Sequence, residues 1–438
     1  MKENELKYKK IVLAGVLLLW LFPLLQFNFH LVEEKKLKGE FKLAEDVSFT
    51  KQTWFDGTYG ESKEKYLNDL IGFRNFFIRF KNQIFYTLFR NSSTRDVVIG
   101  KDGMLYEKKY IDSYNGVDFV GTEHIKKRLE KIRFLQDTLK KLNKDLVVLY
   151  APGKASYYPE YIPEEFVRSD SNTNFKTNIK FAKELGLNYI DFSSWFQKLK
   201  SQTKYPLYPK TGTHWSWYGM YLVQDSLNKY IEAKRKIRLQ RFDMSEVNLS
   251  YKLEDPDDDI EAALNLLVKL PCFEMAYPQE KYLSKDNTTD IKVLTIADSY
   301  WMGLYHTHVP EKTYAGHEFW YYYNYVHNYF GPDEAKNPVE MDLQSEISKY
   351  DVILIMATEV NSNYLGWGFV EDAYDIYKNG RRPNEDKVYR TEIAKITRSV
   401  YDDPSWLKDI QRKAEARKIS LDSMVMLDVL WIYKDLHK

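Results

Sequence analysis

The sequence predicts an α/β fold, a doubly wound parallel sheet with helices on both faces. Three observations predict it. Four short apolar runs, 145–150, 189–191, 293–297 and 352–356, have the length and composition of buried parallel strands. Amphipathic helical stretches alternate with them, the pattern of a parallel sheet covered on both sides. Small or polar residues follow three of the runs: Pro152-Gly153-Lys154, Asp298-Ser299 and Thr358-Glu359. In such sheets ligands sit beyond the carboxyl ends of the strands.

The chain starts with a membrane signal. Residues 11–29, IVLAGVLLLWLFPLLQFNF, carry no charge over a length close to that of a bilayer crossing. Lys2, Lys7, Lys9 and Lys10 precede the run, so the positive-inside rule places the N-terminus in the cytoplasm and the remainder outside. His30-Leu31-Val32-Glu33 offers no small-residue cleavage site, which favours an uncleaved signal anchor over a cleaved leader.

A polar stalk over 31–60 leads to Trp54-Phe55-Asp56-Gly57. Residues 62–90 then show helical spacing, with Phe76, Phe77, Phe80, Ile84 and Phe85 near one face. This predicts a helix laid on the main body through its phenylalanines. Val97–Gly100, Lys101-Asp102-Gly103 and Met104–Tyr106 read as strand, turn and strand. From Thr122, apolar residues step by three or four through Ile125, Leu129, Ile132, Leu135, Leu139 and Leu142, predicting a helix before the first core strand. Further helices are expected over 174–185 and from Ser216 to Lys234. An insertion near 236–290 interrupts the alternation. The tail, 387–436, reads as two amphipathic helices starting near Asp403-Pro404 and Ile419-Ser420. The expected organisation is an anchor over 1–30, a lead-in over 31–120, the α/β domain over 121–386 and a helical extension over 387–438.

Composition narrows the function classes. Lys plus Arg number 64 and Asp plus Glu 63, so there is no cationic field to recruit nucleic acid. Hydrophobic content of 44% with 29% charge excludes a disordered chain. Cys272 is the one cysteine, which rules out an intramolecular disulfide. Tyrosine is abundant, 35 of 438 residues. Its flat apolar face and polar tip suit both a core and a surface that grips sugar rings. The tyrosine-rich run 319–325 and Gly366-Trp367-Gly368-Phe369 are the two aromatic clusters singled out on that ground.

Ser299 is the sharpest chemical candidate. It follows the 293–297 strand directly, where a side-chain hydroxyl is exposed and a backbone N–H can face an oxyanion. An N-capping serine would occupy the same place. The surroundings are not a G-x-S-x-G elbow. A serine nucleophile needs a base. Among eight histidines, His214 stands at a loop-to-helix junction in Thr211-Gly212-Thr213-His214-Trp215-Ser216. His306, His308, His317 and His327 lack the spacing of a zinc site. The acidic run Glu254–Asp259 lacks the spacing of a calcium loop and reads as a solvated loop. No metal and no cofactor are expected.

Taken in order, these residues resemble the alginate O-acetyltransferase AlgX/AlgJ-like family, which is SGNH-hydrolase-like. The resemblance rests on Trp54–Gly57, Ile71-Gly72-Phe73-Arg74, Val98–Tyr106, Tyr150–Lys154, Thr213-His214-Trp215 and Asp298-Ser299. It implies that Ser299 is the nucleophile and His214 the base. In the family an aspartate two residues before the histidine orients it; here that position is Gly212. Asp191 and Glu359 are the candidate replacements, and a Ser–His dyad or an impaired site are the alternatives. The glycine of the family's serine block is Ala297. Lys154, at a neighbouring strand end, with Asp298 and Trp215 of the motifs, is expected to serve the oxyanion or the substrate, and Trp320 and Tyr322 of the aromatic run are expected to contact sugar.

The function implied is a membrane-anchored, exported O-acetyltransferase acting on a cell-surface or secreted polysaccharide. A membrane-bound O-acyltransferase would supply its acetyl groups. The expected location is the bacterial cytoplasmic membrane, single-pass, with the main domain in the periplasm or extracytoplasmic space. A carbohydrate esterase and a catalytically impaired polysaccharide-binding or assembly subunit are the alternatives. Gly212 is the residue that favours the impaired subunit.

Overall fold

A computed structural model describes residues 2–39, 43–92, 94, 96–167, 172–329, 336–380, 384–417, 419 and 421–436. The central sheet has six strands: β1 (Asp145–Ala151), β2 (Tyr189–Asp191), β3 (Lys292–Ala297), β4 (Gly316–Tyr321), β5 (Tyr325–Asn328) and β6 (Val352–Thr358). Their order is β5-β4-β3-β6-β1-β2. All neighbours pair parallel except the β4–β5 hairpin, so the sheet is mixed. The four strands expected from sequence are β1, β2, β3 and β6. The hairpin β4–β5 falls on the aromatic run 319–325, where helical and strand periodicities are hard to separate because the run is aromatic nearly throughout.

Strands β1 and β6 are buried at every residue. Their side chains alternate between two cores, one on each face. Val147, Leu149, Val352, Leu354 and Met356 enter the first core, and Leu146, Val148, Ile353 and Ile355 the second. The first is closed by α7 (Trp217–Arg235) and α9 (Ser299–His306), which contribute Met220, Val223, Leu227, Trp301 and Leu304. The second is closed by α4 (Thr122–Lys141), α5 (Asn174–Glu184) and α10 (Phe369–Asn379). On α4 the stepped residues Ile125, Leu129, Ile132, Leu135 and Leu139 form the buried stripe that the spacing predicts.

The N-terminal helix α1 (Lys2–Phe29) is long and apolar enough over Leu6–Phe29 to cross a membrane. Two helices follow, α2 (Thr58–Leu70) and α3 (Arg74–Phe89), where one was expected over 62–90. Gly72 and the left-handed Phe73 (φ 61°) separate them. The phenylalanines do not pack α3 on the body: Phe76, Phe77 and Phe80 are close to half exposed. Short helix α6 (Phe192–Leu199) follows β2, and α8 (Asp259–Leu264) lies in the insertion. Among the described residues the tail has three helices rather than two, α11 (Asn384–Asp402), α12 (Pro404–Arg417) and α13 (Leu421–Leu436), with their own small core around Val400, Ile410, Met424 and Val429.

Candidate active site

Ser299 stands where β3 turns into α9. The turn is held by Asp298, whose carboxylate caps α9 by accepting from Tyr300 N at 3.1 Å. Its other oxygen accepts from Thr358 N, Thr358 Oγ1 and Asn361 Nδ2, each at 2.8 Å. The ends of β3 and β6 are thereby tied together. Asp298 is fully buried and makes four hydrogen bonds within the protein. It holds the turn that carries Ser299.

Ser299 Oγ lies 3.1 Å from His214 Nε2, and His214 Nδ1 lies 2.6 Å from Asp259 Oδ2. The network fixes the tautomer: Nδ1–H donates to the carboxylate, leaving Nε2 to accept from the serine hydroxyl. Asp259 Oδ1 accepts from Thr213 N at 2.7 Å, so the carboxylate grips both the ring and the backbone beside it. Asp259 is the first residue of α8, inside the acidic run read as a solvated loop. The carboxylate against His214 therefore comes from the insertion. Nothing in the local sequence distinguishes Asp259 from its acidic neighbours; the one hint is the missing acid at Gly212.

The two candidate acids lie elsewhere. Asp191 caps α6, accepting from Ser194 N at 2.9 Å and Ser194 Oγ at 2.6 Å. Glu359 is buried beside Gly153 and accepts from the hydroxyls of Ser156 and Ser193. Burial pushes its pKa up to about 7 despite those bonds. Each carboxylate is spent on structure rather than on His214.

The backbone around His214 is held from several sides. Lys154 Nζ donates to Gly212 O at 2.6 Å and Lys210 O at 3.0 Å. Tyr300 Oη donates to Thr213 O at 2.8 Å, and Thr213 Oγ1 donates to Glu107 Oε1 at 2.7 Å. Ser216 caps α7 through Gly219 N at 3.1 Å. Lys154 is thus a buried brace behind the histidine loop, not a cation facing an oxyanion. Burial pulls its pKa down to about 7 against the raising influence of Asp259, Glu107 and Asp257. Trp215 and Trp320, expected at the substrate, are fully buried: Trp215 packs on Tyr300 and Phe196, and Trp320 on Tyr323 and Phe369.

Tyr322 is the aromatic residue of the 319–325 cluster that reaches the serine. It sits in the β4–β5 turn with φ 49°, its N–H donating to Ala297 O at 2.9 Å, and its hydroxyl and Ser299 influence each other electrostatically. Burial raises its pKa strongly, so the phenol keeps its proton and can donate. The ring packs edge-on against Trp367 at 5.2 Å. Beyond it opens a cavity of about 640 Å³, lined by Arg128, Tyr322, Tyr364, Trp367 and Lys395 among others.

His317 is buried, 3.2 Å from Thr295 Oγ1, and burial lowers its pKa to about 3, so it is a neutral core histidine. Among the described residues, no group of three or more His, Cys, Asp and Glu side chains is placed to hold a metal ion.

The sheet order and the serine-to-histidine array are those of an α/β domain with a serine, a histidine and a carboxylate aligned at a strand end. Residues 97–292 match the family model described as SGNH hydrolase-like domain, acetyltransferase AlgX. The chain resembles the AlgX/AlgJ-like family, as the motifs implied. Among solved structures it is similar to the O-acetyltransferase domain of Pseudomonas putida AlgJ, at 17% identity and a TM-score of 0.42 over 65% of this chain and 99% of that one. Pseudomonas aeruginosa AlgX is similar at 13% identity and a TM-score of 0.41, over 65% and 68% of the two chains. Bacillus cereus PatB1 is similar at 11% identity and a TM-score of 0.37, over 55% and 91%. The comparison with curated proteins gave no match.

Proposed function

We propose that this protein is an exported O-acetyltransferase that moves acetyl groups to hydroxyls of a cell-surface or secreted polysaccharide. The observation that carries the reading is the Ser299–His214–Asp259 array at the carboxyl end of β3. It lies in a chain whose residues 97–292 match an acetyltransferase domain model. Ser299 Oγ attacks the acetyl carbonyl carbon while His214 Nε2 takes its proton. The oxyanion that forms is met by the Ser299 N–H and the Tyr322 hydroxyl. Collapse expels the donor's leaving group, protonated by His214, and leaves an acetyl ester on Ser299. A sugar hydroxyl then gives its proton to His214 and takes the acetyl group, restoring the serine.

In this reading α1 anchors the chain in the bacterial cytoplasmic membrane, single-pass, with the rest outside. A membrane-bound O-acyltransferase delivers the acetyl groups. Residues 121–386 form the catalytic domain and 387–438 an extension. The aromatic and cationic cavity past Tyr322 suits sugar rings, which stack on exposed π faces. The alternative of a non-catalytic binder rests on Gly212, and Asp259 beside His214 supports the catalytic reading in its place. The test uses the full chain in nanodiscs with an acetyl-ester donor and a hydroxyl-rich polysaccharide. Acetyl on the polymer supports the transferase, and acetyl released only to water points to the esterase. A wild-type rate no higher than that of Ser299→Ala would sink both.

A further inference from the structure

Helix α3 is inverted relative to a helix at a water-exposed surface, which buries its apolar face. Three of its polar residues, Arg79, Asn82 and Gln83, face the protein, while Lys81 and Thr87 are exposed. Arg79 is buried and donates to Lys36 O at 2.7 Å and Leu266 O at 3.2 Å. Asn82 Nδ2 donates to Leu264 O at 2.9 Å. Gln83 Oε1 accepts from Leu267 N and Val268 N, each at 3.1 Å. These residues lie one helical turn or less apart, on one side. Away from that side Phe76, Phe80, Phe77 and Leu88 follow one another round the helix, between 46% and 69% exposed, with Lys81 and Thr87 exposed among them. An aromatic face of this extent marks a contact surface.

The start of α3 identifies what it touches. Gly72 lies so close to α1 that a Cβ there would fall 2.2 Å from Pro23 O. The next ring, Phe73, stacks on Phe22 at 5.0 Å. Phe22 and Pro23 belong to the span-length segment Leu6–Phe29. Glu34, just past α1, accepts from Phe73 N at 2.8 Å and Phe76 N at 3.2 Å, which ties the start of α3 to the end of α1. The phenylalanine face therefore begins beside Phe22 and Pro23, about two helical turns before α1 ends, in the outer part of the apolar segment.

We infer that α3 lies in the plane of the membrane, its Phe76–Phe80–Leu88 face in the acyl-chain and headgroup boundary of the phospholipid leaflet and its polar face bearing the extracytoplasmic domain. This rests on the reading that α1 spans the membrane. The consequence reaches the site. Leu264 O, which Asn82 holds, ends α8, and α8 begins with Asp259. The helix that presents the carboxylate to His214 thus stands directly on the membrane-laid one.

The test places a polarity-sensitive fluorophore on the full chain in phosphatidylcholine/phosphatidylglycerol vesicles, in a Cys272→Ser background. Labels go on Phe77→Cys, Phe80→Cys and Leu88→Cys, with Leu17→Cys inside the span and Lys127→Cys on the body as references. The expected result is iodide quenching several-fold weaker at 77, 80 and 88 than at 127, with strong quenching there by brominated lipid. Labels at 77, 80 and 88 that quench with iodide as readily as the one at 127, while the one at 17 is shielded, overturn the proposal and leave the span intact. Shielding from iodide without quenching by brominated lipid also overturns it, in favour of a protein contact. A label at 17 open to iodide overturns the span reading and the proposal together.

Discussion

A Cβ on Gly212 would lie 2.6 Å from the carbonyl oxygen of Pro256 and 2.7 Å from that of Asp257. The position that holds the orienting aspartate in the AlgX/AlgJ-like pattern is here a gap into which the backbone of the insertion fits. Two residues further on, that backbone places Asp259 at 2.6 Å from His214 Nδ1. The absence of a side chain at 212 and the presence of a carboxylate at 259 are therefore one arrangement. Only glycine lets the segment approach closely enough.

Restoring the family residue should do harm. Gly212→Asp puts side-chain atoms inside the contact distance of rigid backbone, which typically costs about 1–3 kcal/mol. It also pushes α8 away from His214. The variant is expected to melt below wild type and to lose acetyl transfer, measured by thermal denaturation and by turnover of an acetyl ester. A gain in turnover would show that Asp259 is not the working carboxylate.

Asp259→Asn should lower turnover by up to about 10⁴-fold, because the amide favours the wrong imidazole tautomer. Asp191→Asn removes only an α6 cap oxygen and should leave turnover near wild type, with a stability loss of no more than about 1 kcal/mol. Steady-state kinetics on the two variants separate the acid that touches His214 from the one that does not.

The pH profile carries the same distinction. Burial pulls the His214 pKa down, but the hydrogen bond and charge of Asp259, with Glu107 and Asp298, outweigh it and hold the imidazole above its usual value. A general base works only when neutral, so activity should rise with pH through that raised pKa. The acid limb of kcat/KM is expected to inflect above about 6.5 in the wild type. In Asp259→Asn the raising influence is lost while burial remains, so the inflection should move to lower pH. An inflection unmoved by the substitution would contradict the coupling.

Tyr322→Phe keeps the ring against Trp367 and removes the hydroxyl beside Ser299. Losing one oxyanion donor typically costs about 10²–10³ in kcat. The variant should show that loss in kcat with an unchanged melting temperature. A fall in KM-dependent binding alone, with kcat preserved, would make Tyr322 a substrate contact instead.

Much of this architecture is readable from residue pattern, and the unread parts have physical causes. Strands β1 and β6 are apolar at nearly every position because helices cover both faces, so length and β-branching were enough to find them. Ser299 and His214 stand at a strand end and a helix start, where local sequence shows them. Asp259 is separated from His214 by 45 residues and sits among like neighbours, so only the tertiary contact singles it out. Lys154, Trp215 and Trp320 were expected at the substrate from residue type. Type does not tell a buried brace or a core ring from a surface contact, and burial decides otherwise. The phenylalanines of α3 failed in the other direction: amphipathic spacing reveals an apolar face but not whether protein or lipid covers it.

The central claim is that Ser299 becomes acetylated with His214 and Asp259 assisting. The direct measurement is peptide mass spectrometry of the full-length protein after brief exposure to an activated acetyl ester. The account predicts an acetyl adduct on the peptide containing Ser299, absent in Ser299→Ala and much slower to form in His214→Ala and Asp259→Asn. No adduct on Ser299, or one that forms at the same rate without His214, would contradict it.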